Sequence, residues 1–242
     1  MNEIDKIQSI IEKSNNIVFF GGAGVSTESG IKDFRSEDGL YKMKFDYPAE
    51  VMLSSGFFYN ETEKFYEFYK TYMNSLDAKP NITHEYLTKL EEKGKLKGII
   101  TQNIDGLHQL AGSKKVYELH GSIHRNYCLK CGKMYDAKYV FDSKGIPKCT
   151  CGGTIKPDVV LYGESLNNDF MKAIQLVDKA DTLIVGGTSL TVEPASSIVR
   201  LFHGKHLIII NKDDTYYDDL AEIVIHDKLS KVFTKLNDYL DK

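Results

Sequence analysis

The sequence predicts an α/β protein: a doubly wound parallel sheet with a smaller module set beside it. Three observations carry that prediction. Short apolar runs recur as IVFF (17–20), GII (98–100), KVYEL (115–119), DTLIVGG (181–187), KHLIIIN (205–211) and AEIVIH (221–226). Runs that are apolar throughout suit parallel strands buried on both faces. Stretches of helical periodicity separate most of them, over 82–93, 168–179 and 194–203. Two segments, 36–80 and 122–157, break the rhythm.

Taken in order, Ile4, Ile7, Ile10 and Ile11 recur at helical spacing, and that first helix ends near Asn15 and Asn16. The run at 17–20 opens directly onto GGAGVSTESG, a strand feeding a glycine turn. Residues 36–80 are rich in Tyr and Phe (FFYNETEKFYEFYKTYM) and read as helical. Residues 122–157 contain all the cysteines. The two insertions read as one small module. The sheet domain is then expected over 1–35, 81–121 and 158–242, and the final helix over 228–240.

Composition narrows the function. With 242 residues the chain has room for one large domain, or a large and a small one. A net charge of −3 speaks against direct nucleic-acid binding, which needs a basic face. No run of about 18 apolar residues exists to span a membrane. The first stretch, MNEIDKIQSIIEKSNN, has no apolar signal core, so a cytoplasmic protein is expected. Four cysteines confined to Cys128–Cys151 favour a metal site over disulfides.

Six motifs carry candidate chemistry. Gly21, Gly22 and Gly24 follow the first strand, where backbone N–H groups at a helix N-terminus can meet a pyrophosphate. Thr27 stands where a third glycine would complete the dinucleotide pattern, so a plain tight turn remains open. Asp33, Phe34 and Arg35 follow, and a guanidinium can pair with the same anion. TQNIDGLH (101–108) sets Gln102, Asn103 and Asp105 at a strand's carboxyl end, where open sheets bind ligands. Read alone, it is equally a polar loop with an Asx turn. ELHGS (118–122) offers His120 as a general base, against a structural histidine. CLKC (128–131) and, seventeen residues on, CTC (149–151) read as a four-thiolate zinc ribbon of Cys128, Cys131, Cys149 and Cys151. Its coordination sphere is full, so that zinc is structural. In VGGTSLTVEPASS (185–197), Thr188 and Ser189 can bond a phosphate or ribose before a helix starting at Pro194. Asn211 ends the run IIIN (208–211) and could meet a ribose or adenine.

These stretches together, GAGVSTESGIKDFR, TQNIDGLHQLAG, ELHGS, the four cysteines, KPDVVLYGE, GTSLTVEPA and IIIN, resemble the sirtuins, the NAD-dependent protein lysine deacylases. The motifs run from residue 21 to 211. Lys32 replaces the family's usual Pro, and C-x-C replaces C-x2-C in the second cysteine pair.

The resemblance implies a Rossmann-like domain with NAD as cosubstrate across its carboxyl edge. Ala23, Thr27 and Arg35 would hold the diphosphate and nearby ribose. Thr188, Ser189 and Asn211 would hold the adenosine half. Asn103, Ile104 and Asp105 would form the nicotinamide pocket, Gln102 would position the ribose, and Phe34 would cover the pocket. His120 and Asn103 are the expected catalytic residues, His120 as general base on the ribose hydroxyls. An acyl-lysine peptide would add as a strand between LYGES (161–165) and LTVEP (190–194). Val160, Tyr162, Gly163 and Val192 would contact it. Acyl preference follows from an absence. Relatives favouring succinyl or malonyl chains carry Tyr-x-x-Arg in the helical insertion, whereas Tyr69–Lys70–Thr71–Tyr72 here has no Arg. Neutral acyl groups such as acetyl are expected, on a monomeric enzyme. ADP-ribose transfer to protein, and a non-catalytic NAD sensor, are the rival readings. A dehydrogenase fails because no strand ending in an acidic residue follows about 20 positions after the glycines.

Overall fold

The computed structural model describes residues 2–37 and 39–240; position 38 of the helical insertion and the ends of the expected sheet domain lie outside them. In chain order the elements are α1 (Glu3–Lys13), β1 (Ile17–Gly21), α2 (Ala49–Met52), α3 (Ser55–Asn60), α4 (Thr62–Tyr72), α5 (Ile82–Glu92), β2 (Leu96–Thr101), α6 (Leu107–Ala111), β3 (Val116–Glu118), β4 (Gly121–Cys128) and β5 (Met134–Tyr135). Then come α7 (Ala137–Asp142), β6 (Ile155–Val159), α8 (Asp169–Asp178), β7 (Thr182–Gly186), β8 (His206–Ile210), β9 (Ile223–Ile225) and α9 (Leu229–Leu240).

The predicted doubly wound sheet is present. Six parallel strands run in the order β3-β2-β1-β7-β8-β9, the strand order of dinucleotide-binding sheets. All five residues of β1 are buried, as continuous apolar runs require. Phe19 packs to one face with Ile7 of α1, Tyr86 of α5 and Phe233 of α9. Val18 and Phe20 pack to the other with Ala173 and Val177 of α8 and with Ile198. Helices therefore cover both faces.

The second sheet is small and antiparallel, β5-β4-β6. Its core joins Ile123, Val140 and Ile155 to the aromatic helices through Phe58, Phe65 and Tyr69. Among the described residues no helix is long and apolar enough to cross a membrane.

Two local expectations fail. The segment after Pro194 is a 3-10 helix, Ala195–Leu201, and not an α-helix. Its Ser196, Ser197, Ile198 and Val199 are poor helix formers, and the Ser197 hydroxyl bonds back to the Pro194 carbonyl at 2.6 Å. Nor does a helix follow the glycines of β1. Two single 3-10 turns, Ala23–Val25 and Thr27–Ser29, take its place, broken by Gly30 at φ +84°. The loop's amides, without a long helix dipole, are what remain for an anion.

Beneath this loop lies a buried histidine pair. His84 and His108 rings stand 4.7 Å apart, both shut off from solvent. The Asn81 N–H donates to His84 Nδ1 as part of the α5 cap, so that nitrogen must stay unprotonated. Burial holds His84 at about 4, against 6.5 for a free histidine. Burial also holds His108 well below its ordinary value. The unfolded chain thus takes up a proton at His84 that the folded chain refuses, from pH 6.5 down to about 4. Stability present above pH 6.5 is lost across that window, by about 2–3 kcal/mol at pH 4.5 from His84. Urea unfolding at pH 7 and 4.5 should show this loss in the wild type and a smaller one in His84→Gln. An identical loss in both refutes the assignment.

Candidate active site at the carboxyl edge of the sheet

The strands end level. Glu118, Thr101, Gly21, Gly186, Ile210 and Ile225 form one paired row across the sheet. The residues just beyond that row are those the sequence singled out.

At its centre the β1 and β7 loops touch. Gly24 N–H donates to the Gly187 carbonyl at 2.8 Å. A Cβ on Gly24 would sit 2.7 Å from Gly187 Cα, so no larger residue fits.

Ser26 anchors the next layer. Its hydroxyl donates to Asp105 Oδ2 at 2.7 Å and accepts from Asn103 Nδ2 at 3.1 Å. Leu107 N–H donates to Asp105 Oδ1 at 2.9 Å. Asp105 is buried, and burial pushes its carboxyl up, offset in part by those two donors. Each oxygen keeps a lone pair for another donor. The sequence pointed to Asp105 and Asn103 but missed Ser26. Its only signal was a small hydroxyl inside the glycine motif.

Gln102 and His120 meet across adjacent strands. His120 Nδ1 lies 2.9 Å from the Gln102 carbonyl. A carbonyl only accepts, so Nδ1 carries the proton and Nε2 is the basic nitrogen. Burial holds His120 below the ordinary histidine value, partly countered by that bond. The Gln102 side chain accepts from Thr188 Oγ1 at 2.8 Å, while its buried Nε2 has no partner among the described residues. A buried unpaired donor is costly, so it suits a ligand oxygen.

The remaining predicted residues surround this centre. Thr27 bonds the Gly24 carbonyl at 3.1 Å, and the Ala23 carbonyl accepts from Ser26 N–H at 3.0 Å. Arg35 is exposed, its guanidinium 5.3 Å from the Tyr41 ring. Phe34 packs on the same ring, and Phe34 and Ile104 both lean on the small-module core. Val160 N–H donates to the His120 carbonyl at 2.9 Å, tying the end of β6 to the histidine. Tyr162 and Gly163 are exposed, Val192 is half-buried, and Gly163 takes φ +89°. On the far strands Ser189 pairs with Thr191 at 2.9 Å, and Asn211 donates to the Asp213 carbonyl at 2.7 Å.

The four cysteines converge. Sγ separations are 3.5 Å for Cys128–Cys151, 3.6 Å for Cys131–Cys149 and 3.5 Å for Cys131–Cys151. A tetrahedral zinc with bonds of about 2.3 Å needs sulfurs about 3.8 Å apart. The donor set fits. The Cys151 N–H and the Tyr135 hydroxyl hold the Cys149 thiol down at about 5.

Against known proteins, residues 22–194 match the Sir2 family model. The chain belongs to the Sir2 family. An NAD-dependent protein deacetylase of Clostridium acetobutylicum is 60% identical over 237 residues, covering 96% of this chain and 97% of that one. The Clostridium perfringens protein of the same name is 54% identical, covering 98% and 99%. Among solved structures, Sir2 with a p53 peptide and NAD+ superposes with TM-score 0.87 at 37% identity, covering 100% of this chain and 99% of that one. Sir2 with an inhibitor, 2'-O-acetyl-ADP-ribose and deacetylated p53 peptide gives 0.86 at 36%, covering 98% and 99%.

This Sir2 chain also contains a clamp that the sequence reading overlooked. Arg125 of β4 bonds Glu118 of β3 at 2.7 Å and Asp158 of β6 at 2.8 Å, joining the two sheets beside His120. Glu118 is buried, and Arg125→Met would strand its carboxylate. Thermal unfolding of Arg125→Met should show a loss of about 2–4 kcal/mol, largely restored by adding Glu118→Gln. Additive losses in the double variant would count against the clamp.

Proposed function

We propose that this Sir2 protein is an NAD-dependent protein lysine deacetylase. With one water consumed, it moves the acyl group from lysine to ADP-ribose, releasing nicotinamide, free lysine and 2'-O-acyl-ADP-ribose. The observation that carries the reading is His120 held through Nδ1 by the Gln102 carbonyl, beside the buried Ser26–Asp105–Asn103 cluster. The names and bound molecules of its relatives support the same activity.

NAD supplies a ribose carbon that becomes electrophilic as nicotinamide leaves, which lets a weak acyl oxygen attack. The chain does the rest. Asp105, with Asn103 and Ile104 beside it, accepts from the carboxamide. Gln102 gives its unpaired Nε2 to the ribose. Ala23, Thr27 and Arg35 hold the diphosphate, and Thr188, Ser189 and Asn211 the adenosine. Phe34, packed on Tyr41, shuts water from the reacting carbon. His120 Nε2 takes a proton from a ribose hydroxyl, activating it toward the acyl carbon.

The acyl-lysine peptide lies along Tyr162 and Gly163, opposite Val192. Tyr162 spends its N–H on Leu53 and its C=O on Ser55, both turned inward. Gly163 follows, exposed in the turn that Glu164 N–H closes on the Leu161 carbonyl at 2.9 Å, where an added strand can pair. The lysine stem passes Phe34, Val160 and Tyr162. Acetyl and other neutral groups suit this enzyme. Tyr69 is stacked between Phe65 and Phe141, and Lys70 Nζ is spent on Ser143 and Gly145 oxygens. No cation of that stretch is free for an acyl carboxylate.

The reading includes one structural zinc on the four cysteines and the domain division 1–35, 81–121 and 158–242 against 36–80 and 122–157. It also includes a cytoplasmic monomer, whose thiols stay reduced.

Wild type should release acetyl from a lysine peptide only with NAD, and faster than succinyl. His120→Ala should fall by about 10²–10⁴-fold. The base must be neutral, and His120 is held below 6.5, so the acid limb of kcat/KM should fall below pH 6.5. An active His120→Ala, or labelled ADP-ribose on protein in place of soluble acyl-ADP-ribose, refutes the proposal. Separately, a strong chelator should lower the melting temperature and release about one zinc per chain. A protein that retains its stability after metal loss refutes the structural zinc.

A further inference from the structure

The hydroxyls of Tyr41 and Tyr162 are hydrogen-bonded to each other. They lie 121 positions apart in sequence, on two loops that flank the site. Among the described residues, this is the sole hydrogen bond between residues 31–47 and residues 160–165.

Each tyrosine is fastened to one half of the site. Tyr41 N–H donates to the Phe34 carbonyl at 2.9 Å, and Leu40 N–H to the Asp33 carbonyl at 3.0 Å. The Tyr41 ring carries Phe34 at 5.5 Å and the Arg35 guanidinium at 5.3 Å. Phe34 and Arg35 are the cofactor-side residues of the proposed function. Their loop has neither helix nor strand over 31–37 and leans on few internal bonds, such as Ser36 N–H to Asp33 Oδ1 at 2.8 Å. Tyr162 is bonded through its backbone to Leu53 and Ser55, in line with Val160 and His120. It is the peptide-side residue. Burial and the partner hydroxyl push the Tyr41 phenol well above its ordinary value, so the Tyr41 hydroxyl keeps its proton for this bond.

We propose that the Tyr41–Tyr162 hydroxyl pair is the latch that couples the two substrates, with Tyr41 as a positioning residue: a peptide seated along Tyr162 fixes its side chain, which fixes Tyr41, which seats Phe34 and Arg35 on the cofactor. Coupling of this kind is reciprocal, so the cofactor tightens the peptide by the same factor. The latch rests on the deacetylase reading. It adds a residue that reading does not use, and it assigns Tyr162 a second task beyond lining the lysine path.

The test measures coupling and not activity alone. ADP-ribose, which cannot react, is titrated by calorimetry with and without saturating acetyl-lysine peptide. The ratio of the two Kd values is the coupling factor. Wild type should show a factor clearly above one. Tyr41→Phe keeps the ring but loses the hydroxyl, and the factor should fall by about threefold to tenfold, the worth of one hydrogen bond. Tyr162→Phe should lose the same amount, and the double variant no more than either single one. The melting temperature of Tyr41→Phe should match the wild type, and its NAD KM should rise at saturating peptide with kcat retained. A wild-type factor of one, unchanged factors in both single variants, or losses that multiply in the double variant each overturn the latch. A wild type that binds ADP-ribose but does not deacetylate overturns the functional reading, while the same titration still reports on the latch.

Discussion

The level row Glu118–Thr101–Gly21–Gly186–Ile210–Ile225 is the constraint on which the site depends. Parallel strands in one register release their loops at one height. His120, Gln102, Ala23, Thr188 and Asn211 therefore emerge within two residues of a common line. An irregularity between β1 and β2 is absorbed at Ile17 and Val18, at the opposite end of the strands, so the carboxyl ends stay level. A one-residue slip at that end would move Gln102 off the His120 ring and turn its side chain to the other face. The bond that sets the histidine tautomer runs to a backbone carbonyl, so it belongs to the register and not to any replaceable side chain.

Burial then gives the edge its chemical character. Asp105 and His120 are both pulled toward their neutral forms by loss of water. For His120 that keeps a base available below the usual histidine range. For Asp105 the Ser26 hydroxyl and Leu107 amide restore enough polarity to keep a buried carboxylate tolerable. Gln102 goes the other way, with one amide end satisfied by Thr188 and the other left unpaired. An edge with one strong acceptor, one neutral base and one idle donor is poised for a polar ligand, at a cost that the surrounding apolar cores absorb.

What the sequence revealed and what it hid divide along a physical line. The strands were legible because two-sided burial leaves an apolar run, and the motifs because glycine, amide and imidazole types follow strand ends. His108, the last residue of TQNIDGLH, stands apart from the motif's other polar groups and is buried against Phe19 and His84. The 3-10 turns after β1 and Pro194 were not, because helical periodicity cannot tell a tight helix from a regular one. Ser26, the Arg125 clamp and the Tyr41–Tyr162 pair were invisible for another reason. Each acts through partners remote in sequence, and a single chain gives no sign of which distant residue a hydroxyl or guanidinium will meet.

The small module shows how a site can depend on parts that touch no substrate. Its sheet has three strands, one of only two residues, and it takes its apolar cover from the aromatic helices. Four thiolates at zinc spacing would tie its two loops together, with Tyr135 bonding Cys149 at 3.1 Å. Its apolar core reaches on through Val159 and Leu161 to Phe34, Tyr41 and Ile104. Any loosening at the cysteines passes along that core to Phe34, Tyr41 and Ile104, and along β6 and β4 to Arg125 and His120. A zinc on the four cysteines would act on the site mechanically. It would hold β4 and β6 together so that Val160 N–H can meet the His120 carbonyl, and the imidazole inherits its position from a sheet it does not belong to.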